Sequence, residues 1–304
     1  MLNAKKIRKF YPINLILITY AICLSCSHIF AGETRQEKDP GKMAFCQRDN
    51  QYWQIWAMNL DGSGKKQLTH SAVDLRSPNF SSDGKKIVYA TNEGKLWVMD
   101  SDGNNKKQIP LNIDASEPRW CFKDSKIIFT GYRGITFLDD SDIWMVNNDG
   151  THLEKIIRRP SIQFLPQVSE NGEEIVFVDV LESIGHEIMR LDLKTKDYTQ
   201  LTDDDSRHTT PVFTPDGGSV VYSSDRDGNY DIWVMDKFGR NQASLTRRPA
   251  FDSSPVVSKD GKTIYFLSDE TKRMQIWRID IDGGNLAQIT NDDFDKQDID
   301  VFAP

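Results

Sequence analysis

One stretch of the sequence decides the fold: Pro211-Val212-Phe213-Thr214-Pro215-Asp216-Gly217, followed by Ser224-Asp225-Arg226-Asp227-Gly228-Asn229-Tyr230-Asp231-Ile232-Trp233-Val234-Met235-Asp236. Its apolar pair, Ile232-Trp233, is one of six such pairs between Met43 and the C-terminus. The six pairs are Ile55-Trp56, Leu96-Trp97, Ile143-Trp144, Ile188-Met189, Ile232-Trp233 and Ile276-Trp277, at intervals of 41, 47, 45, 44 and 44 residues. A nearly constant period of this length indicates a repeat architecture.

Four short β-strands are predicted in each repeat. In the repeat that begins at Ser77, they are Ser77 to Ser81, Lys86 to Thr91, Lys95 to Asp100 and Lys106 to Ile109, with hairpin turns at Asp83-Gly84 and Asp102-Gly103. The second strands, such as Ile87-Val88-Tyr89, are continuous apolar runs, which predicts sheets covered on both faces. A radial stack of sheets achieves this without helices. The sequence therefore predicts an all-β fold, a six-bladed β-propeller of four-stranded antiparallel blades.

The two ends of the repeat region are predicted to share one blade. The first repeat begins at Lys42 with its second strand, so it lacks an innermost strand of its own. In the other repeats a Leu-Thr-like pair precedes the first-strand Pro by nine or ten residues, and ten residues after Ile289 lies Ile299. We therefore expect the segment from Ile299 to Phe302 to pair into blade 1 and close the ring, which removes free strand edges. The predicted propeller covers residues 42–304.

The first 31 residues have the features of an export signal. A basic start precedes an apolar stretch from Ile13 to Leu24, which is too short to span a bilayer as a helix because that needs about 20 residues. Ile29-Phe30-Ala31 fits an ordinary signal peptidase site, whereas Cys23-Leu24-Ser25-Cys26 partly resembles a lipoprotein box that would be lipidated at Cys26. An uncleaved anchor is a third alternative, and residues 32–41 are a predicted linker. We expect an exported protein of the periplasm or cell envelope, for which a lipid anchor at Cys26 would be the only contact with the membrane.

Charge and cysteine content exclude other classes. The formal net charge is -7, and the predicted leader is basic, so the rest of the chain is more acidic still. A nucleic-acid partner, which requires clustered Lys and Arg, is therefore not expected. Cys46 and Cys121 fall two repeats apart, too far for the roughly 6 Å Cα separation of a disulfide. Both are predicted to be buried free thiols.

At these repeats the chain resembles the TolB-type, WD-like β-propeller repeat family. The quoted stretch is similar to the Pro-x-aromatic-Ser-x-Asp-Gly segment, the Ser-x-Arg-x-Gly-Asn-x-Asp turn and the Ile-Trp/Tyr-x-Met-Asp strand of that family. The resemblance extends from Lys42 to Pro304 and departs at Asp124-Ser125, where the turn Gly is absent, and at Leu193 to Lys196, which replaces Asp-Gly. It implies a propeller that acts as a non-catalytic, protein-binding scaffold in the cell envelope. We expect a monomer without a cofactor.

Candidate residues for other chemistry are few. The third-strand Trp residues recur at one structural position, so packing between blades is preferred over sugar binding. Asp225, Asp227, Asn229 and Asp231 alternate oxygen ligands as a calcium loop does, but they lack its Gly spacing and bidentate Glu, so shaping of the hairpin is preferred over a metal site. The sequence has no nucleophile elbow, zinc-binding His pair or phosphate loop, which favours a binding protein over an enzyme. The alternative is a carbohydrate-active propeller, a lyase or glycosidase with its site at the channel mouth.

The loops that lead into the innermost strands are predicted to gather at one mouth of the central channel, where propellers usually carry their functional residues. These loops are 71–76, 112–117, 160–165, 203–209, 248–253 and 291–298. They contribute an acidic rim with a few cationic positions: Asp74, Arg76, Asp114, Glu117, Arg207, His208, Asp252 and Asp295. As a group, these residues are the predicted protein-binding site.

Overall fold

The chain forms six four-stranded antiparallel β-sheets, described by a computed structural model over residues 41–49, 51–132, 140–181 and 185–303. Each sheet is one blade, so the predicted six-bladed β-propeller is confirmed. The predicted export signal, its lipidation candidate Cys26 and nearly all of the linker lie outside the described residues. Within those residues, no helix has the length and apolar character needed to cross a membrane.

Blades 1 to 3 contain the first eleven strands in chain order. Blade 1 contains β1 (Lys42–Asp49), β2 (Tyr52–Asn59) and β3 (Lys66–Gln67). Blade 2 contains β4 (Leu75–Phe80), β5 (Lys86–Thr91), β6 (Leu96–Asp100) and β7 (Lys107–Gln108). Blade 3 contains β8 (Asp114–Cys121), β9 (Lys126–Tyr132), β10 (Ser141–Asn147) and β11 (Glu154–Lys155).

Blades 4 to 6 repeat the same order, from the channel outward. Blade 4 contains β12 (Ile162–Val168), β13 (Glu174–Leu181), β14 (Gly185–Asp192) and β15 (Tyr198–Gln200). Blade 5 contains β16 (His208–Phe213), β17 (Ser219–Ser224), β18 (Asp231–Asp236) and β19 (Ala243–Ser244). Blade 6 contains β20 (Asp252–Val257), β21 (Thr263–Ser268), β22 (Gln275–Asp280) and β23 (Ala287–Gln288). The remaining strand, β24 (Lys296–Phe302), belongs to blade 1.

The ring is closed in blade 1, where β24 pairs antiparallel with β1 and takes the innermost position. Lys42 lies opposite Phe302, and Gln47 lies opposite Lys296. The predicted closure is therefore confirmed. The strand starts at Lys296 rather than at Ile299, because its pairing with β1 continues past a β-bulge in the middle of the strand.

The hydrophobic core lies between neighbouring blades, because both faces of each second strand are covered. Phe129 of β9, Phe177 of β13 and Phe266 of β21 are all fully buried. As predicted, the third-strand Trp residues pack into apolar clusters that two adjacent blades share: Trp56, Trp97, Trp144, Trp233 and Trp277. These rings belong to the core of the propeller.

The two cysteines of the propeller are buried free thiols, as predicted. The Cys46 thiol donates a hydrogen bond to the Leu75 carbonyl, with 3.3 Å between the heavy atoms. Burial raises the pKa of Cys121 to about 12 and raises that of Cys46 well above its ordinary value. Since the thiolate is the nucleophile, neither side chain is reactive at neutral pH.

The Leu-Thr pairs of the sequence hold the start of the third strands. In blade 1 the Ile55 N–H donates to Thr69 Oγ1 at 2.9 Å. The same bond, with the same length, joins Ile188 to Thr202, Ile232 to Thr246 and Ile276 to Thr290. All four threonines are buried, so loss of one hydroxyl would leave a buried N–H without a partner.

The blade 3 turn that lacks glycine is held by its neighbour. Asp124 occupies the glycine position with φ of 63°, close to the 67° of Gly84 in blade 2. Its carboxylate accepts hydrogen bonds from the Ser82 N–H at 2.8 Å and the Ser82 hydroxyl at 2.6 Å. A left-handed conformation costs an L-residue about 1–2 kcal/mol, and these bonds between blades offset that cost.

Candidate functional site

The wall of the central channel consists of the innermost strands, each of which carries a β-bulge at the same place. The bulge residue has a positive φ, between 49° and 55°, in all six blades: Ser77, Glu117, Leu165, Thr210, Ser254 and Asp298. A proline follows it in five blades, which accounts for the Pro-led segments of the repeat. These six residues line a cavity of about 70 Å³ in the channel.

Side chains in the channel join one blade to the next. Glu117 Oε2 of blade 3 accepts from the Leu165 N–H of blade 4 at 2.8 Å and from the Thr130 hydroxyl at 2.6 Å. Asp298 Oδ2 of blade 1 accepts from the Ser77 N–H of blade 2 at 3.2 Å. These bonds satisfy the backbone donors at the bulges and hold the ring across blade boundaries.

The channel carboxyl groups are difficult to ionise. Burial raises the pKa of Glu117 and of Asp298. It also raises the pKa of Asp300 to about 6. The Asp300 carboxylate accepts a hydrogen bond from the Phe80 N–H. The positive charge of Arg119 acts in the opposite direction on all three. Arg119 Nη1 is itself buried and has no hydrogen-bond partner in the described part of the chain. A cavity of this volume has room for a few water molecules. The channel interior is therefore a small space lined by ionisable side chains.

Three of the predicted rim acids pair with nearby cations. The nitrogen–oxygen distances are 3.7 Å for Asp74 and Arg76, 3.0 Å for Asp114 and Lys95, and 3.4 Å for Asp295 and Arg273. Asp74 also accepts from the Trp53 N–H at 2.9 Å, and Asp295 accepts from the Met274 N–H at 2.9 Å. Of the eight predicted residues, Asp74 and Arg76 are thus brought together, whereas Asp114 and Asp295 bond to turns of the neighbouring blades.

Three of the eight predicted rim residues lie below the exposed rim of the mouth. His208 and Asp252 are 0% exposed, because each is the first residue of an innermost strand and lies beneath the loop that leads into it. Arg248 Nη2 donates to both carboxylate oxygens of Asp252 at 2.9 Å, and His208 Nε2 lies 3.2 Å from the Asp204 carboxylate. Glu117 lies at the bulge of β8, inside the channel rather than in a loop.

Two exposed aromatic side chains at the mouth were not predicted as site residues. Phe251 is 40% exposed and Phe294 is 49% exposed. Both lie in loops that lead into innermost strands, and the exposed Arg207 lies in the corresponding loop of blade 5. Phe251 packs against Tyr230, with 5.0 Å between ring centroids. The signal available in the sequence was the occurrence of Phe within loops that are otherwise mostly polar.

The oxygen-bearing residues of the blade 5 hairpin have separate partners. Asp225 accepts a hydrogen bond from the Arg207 N–H at 2.7 Å, and Asn229 donates one to the Ala250 carbonyl at 2.6 Å. Asp231 accepts a hydrogen bond from the Thr246 hydroxyl at 3.0 Å. Asp227 is exposed. Across the described residues, no group of three or more His, Cys, Asp and Glu side chains is placed to hold a metal ion. These residues bind the hairpin to the neighbouring loops.

Four consecutive blades carry a polar pair beneath their mouth loops. The distances are 2.8 Å for Arg159 and Asp179 in blade 4, 3.2 Å for Asp204 and His208 in blade 5, 2.9 Å for Arg248 and Asp252 in blade 6, and 2.5 Å for Asp292 and Lys296 in blade 1. One side chain of every pair is 0% exposed. In blades 5, 6 and 1, the pair ties the first residue of the innermost strand to a loop residue four positions earlier. The mouth loops of these blades are therefore firmly held.

Known proteins with similar sequences or structures include TolB proteins. The chain is 24% identical over 170 residues to the Protein TolB homolog of Chlorobium luteolum, which covers 55% of this chain and 37% of that protein. The structure of TolB from Acinetobacter baumannii has a TM-score of 0.74 at 16% identity, covering 87% of this chain and 67% of that chain. An oligogalacturonate lyase in complex with manganese has a TM-score of 0.61 at 14% identity, covering 84% and 75%. At these identities, the solved structures show a shared fold.

The share of each protein that is matched decides whether the chain can be assigned to a family. The chain spans 37% of the length of the curated TolB homolog. The family model described as the TolB beta propeller domain matches residues 122–300, which is more than half of the chain. The protein is therefore a member of the TolB β-propeller domain family.

Proposed function

We propose that the protein is an exported, non-catalytic β-propeller that binds a protein partner in the cell envelope through its channel mouth. In this proposal residues 1–31 direct export and residues 42–304 form the binding platform of a monomer. Membership of the TolB propeller family supports a scaffold role. The partner belongs to the proposal, because the chain spans only part of its curated TolB relative.

The observation that carries the proposal is the pair of exposed Phe side chains on the mouth loops. Phe251 and Phe294 are large apolar groups at 40% and 49% exposure, and they stand among charged loop residues such as Arg207 and Asp295. Aromatic residues are enriched in protein interfaces, whose rims are polar. An aromatic pair within a charged rim fits a protein partner better than a small polar ligand.

The mouth loops are suited to binding because they are already held in place. The Arg248–Asp252 and Asp292–Lys296 pairs fix the two loops that present Phe251 and Phe294. A surface ordered before binding loses less conformational entropy when a partner docks. We therefore expect little movement of these loops between the free and bound states.

A carbohydrate-active function is less well supported by the geometry. Glu117, Asp298 and Asp300 are channel carboxyl groups with a raised pKa, and the first two line a cavity of about 70 Å³. That volume suits a few waters and is too small to admit a sugar ring beside either carboxyl group. The similarity to an oligogalacturonate lyase concerns the fold.

Site-specific photo-crosslinking of the full chain in intact cells tests the proposal. A photo-reactive phenylalanine derivative replaces Phe294 at the mouth or, as the matched control, Phe238, which is 50% exposed in a turn at the opposite end of blade 5. We expect a protein adduct from position 294 and none from position 238. An adduct from position 238 alone, or recovery of a glycan and no protein, would overturn the proposal.

A substitution series measures the contribution of the rim. Phe294→Ser combined with Arg207→Ser should weaken partner capture while leaving Tm nearly unchanged, because both residues are exposed. Asp252 and His208 are unsuitable for this purpose, since both are buried and their loss would alter folding. Unchanged capture by the double variant would contradict the role of the mouth.

A further inference from the structure

Blade 2 contains a cavity of about 470 Å³, which is larger than the cavity of about 70 Å³ in the channel. It opens beside the loop that leads into β4 and is lined by Leu75, Tyr89, Thr91, Glu93, Trp97 and Lys106, among others. The volume is in the range of sites for small ligands or for a side chain of a partner. The repeat itself indicates what the cavity accepts.

The cavity floor is a pair of aromatic rings that recurs around the propeller. In blade 2, Tyr89 of β5 lies directly opposite Trp97 of β6. The corresponding cross-strand pairs are Phe45 and Trp56 in blade 1, Phe129 and Trp144 in blade 3, Tyr222 and Trp233 in blade 5, and Phe266 and Trp277 in blade 6. These five blades therefore offer the same aromatic surface at the same position.

In blades 1, 5 and 6, a cation of the protein lies over the Trp ring. Lys65 Nζ is 5.1 Å from the Trp56 ring centroid, Arg226 Cζ is 5.1 Å from that of Trp233, and Arg248 Cζ is 5.0 Å from that of Trp277. A cation at this distance is attracted by the negative face of the ring. Each cation also pairs with an aspartate of the mouth loops: Asp292, Asp204 and Asp252 respectively.

In blade 2 no described cation lies over the Trp ring, and the matching loop position has no aspartate. Arg226 is the second residue after β17, and the second residue after β5 is Glu93. Asp204 follows Thr202 by two positions, and Ser71 follows Thr69 by two positions. Lys106 follows Trp97 by nine positions, as Lys65 follows Trp56, but its ammonium donates to the Gly103 carbonyl, and the Trp97 ring lines the cavity.

The charges around the cavity leave one carboxylate without a partner. Glu93 is exposed, and its carboxylate makes no hydrogen bond or ion pair with any described residue. Lys95 at the rim is paired with Asp114 at 3.0 Å, and the Lys106 ammonium donates to the Gly103 carbonyl. Glu93 is thus the group available to receive a positive charge.

We propose that the blade 2 cavity binds the side chain of an arginine from a protein partner, with the guanidinium stacked on Trp97 and paired with Glu93. The planar guanidinium suits both contacts, since it stacks on aromatic rings and donates to carboxylates. The partner would supply here the group that Arg226 supplies within blade 5. The inference rests on the proposed function only in taking the arginine to belong to a protein.

Titration of the full chain with N-acetyl-arginine methylamide tests the site, with the indole N–H signal of Trp97 in the NMR spectrum as the readout. The citrulline analogue has nearly the same shape and no charge, and it serves as the matched probe. We expect the arginine probe to bind about tenfold more tightly than the citrulline probe, and Trp97→Leu to weaken its binding about tenfold. Equal binding of both probes, or selective binding of an oligosaccharide or of N-acetyl-glutamate, would overturn the proposal.

A transplant of the blade 5 residues provides a second test that does not depend on removing a core ring. Ser71→Asp combined with Glu93→Arg gives blade 2 the Asp that blade 5 has two positions after its Thr and the Arg that it has two positions after its second strand. We expect this variant to fold with an unchanged or higher Tm and to lose at least tenfold in affinity for the arginine probe. Unchanged affinity would contradict the assignment of the cavity.

A simpler variant covers the case in which the transplant does not fold. Glu93→Gln should lower the affinity for the arginine probe to that for the citrulline probe. If the variant still binds the arginine probe more tightly than the citrulline probe, the role of Glu93 is contradicted. The readouts also separate the two proposals. If the arginine probe does not bind but a protein adduct still forms at position 294, only this inference is wrong. If the probe binds but no adduct forms at position 294, only the proposed binding role of the mouth is wrong.

Discussion

Blades 5 and 2 are built on the same pair of aromatic rings, Tyr222 with Trp233 and Tyr89 with Trp97, but they use the space above the rings differently. Blade 5 fills the space with its own Arg226, whereas blade 2 leaves a cavity of about 470 Å³. The order of the strands is the same, but the turn between the second and third strands has six residues in blade 5 (225–230) and four in blade 2 (92–95). The difference teaches that a repeat can convert a structural position into a binding position by changing loop residues alone.

The same comparison extends to the first residue of the innermost strand. His208 in blade 5, Asp252 in blade 6 and Lys296 in blade 1 are buried polar residues with a loop partner, whereas blade 2 has the buried, apolar Leu75. A buried ion pair contributes little net stability when it replaces apolar packing, but it costs a great deal when one partner is lost. Blades 5, 6 and 1 are therefore the ones in which single substitutions should do the most damage.

Loss of Arg248 should have the largest effect on stability. Arg248→Ala leaves the 0% exposed Asp252 without its charge partner and uncovers Trp277, so we expect the free energy of unfolding to fall by about 3–5 kcal/mol. Urea-induced unfolding followed by Trp fluorescence measures this change. A loss below about 1 kcal/mol would show that the pair does not distinguish blade 6 from blade 2.

The buried histidine of blade 5 should give this blade a pH dependence that blade 2 lacks. Burial lowers the pKa of His208 below its ordinary value of about 6.5. As pH falls below about 6.5, His208 of the unfolded chain binds a proton before His208 of the folded chain does. The free energy of unfolding is therefore highest above about pH 6.5 and decreases as pH falls toward the lowered pKa. His208→Leu, which installs the blade 2 residue, should remove this loss.

The comparison of wild type with His208→Leu isolates that contribution from other groups. Burial raises the pKa of Asp300 to about 6, which acts with the opposite sign, because the folded chain then holds a proton that the unfolded chain releases. Both proteins share this term, so it cancels in the difference between their unfolding free energies at pH 7.5 and pH 5.5. Parallel pH profiles would contradict the assignment to His208.

Replacement of the whole pair in blade 6 should cost far less than removal of one partner. Arg248→Met combined with Asp252→Leu reproduces the apolar character of blade 2, and we expect the free energy of unfolding to stay within about 1 kcal/mol of wild type or to rise. The same urea experiment measures it beside Arg248→Ala. A double variant as unstable as the single one would mean that the pair is required for packing in blade 6.

The smallest effect is expected for Glu93, the blade 2 counterpart of Arg226. Glu93→Ala should change the free energy of unfolding by no more than about 0.5 kcal/mol, because the carboxylate is exposed and makes no described hydrogen bond or ion pair. Thermal unfolding of the two proteins at equal concentration provides the check. A larger loss would indicate a stabilising partner for Glu93 and weaken the contrast between the blades.

The fold could be predicted from the sequence because its signals are local and repeated. The spacing from Ile289 to Ile299 sufficed to identify the closing strand, since every other blade shows the same interval. The site was predicted only in part. The burial of His208 and Asp252 depends on side chains four residues earlier, Asp204 and Arg248, and a period in the sequence carries no information on such pairs.

The position of Glu117 could have been predicted, because the residue before the repeat Pro has the same conformation in the five blades that carry this Pro. The blade 2 cavity could not. It arises because no described cation lies over Trp97, whereas one lies over the corresponding Trp in blades 1, 5 and 6, and its volume depends on how the loop carrying Ser71 folds. Exposure of Phe251 and Phe294 likewise depends on loop conformation rather than on composition.

The pairing of β24 with β1 also joins residues that are far apart in the sequence, so we expect it to be the last strand pairing to form. Each of the other five blades forms from strands that are consecutive in the chain, so its hydrogen bonds close only short loops. Blade 1 must join Lys42 to Phe302 and therefore bears the largest loop-closure entropy of the molecule. We expect an open ring with five formed blades as the last species before the native state. Its exposed apolar edges make it the form most open to aggregation.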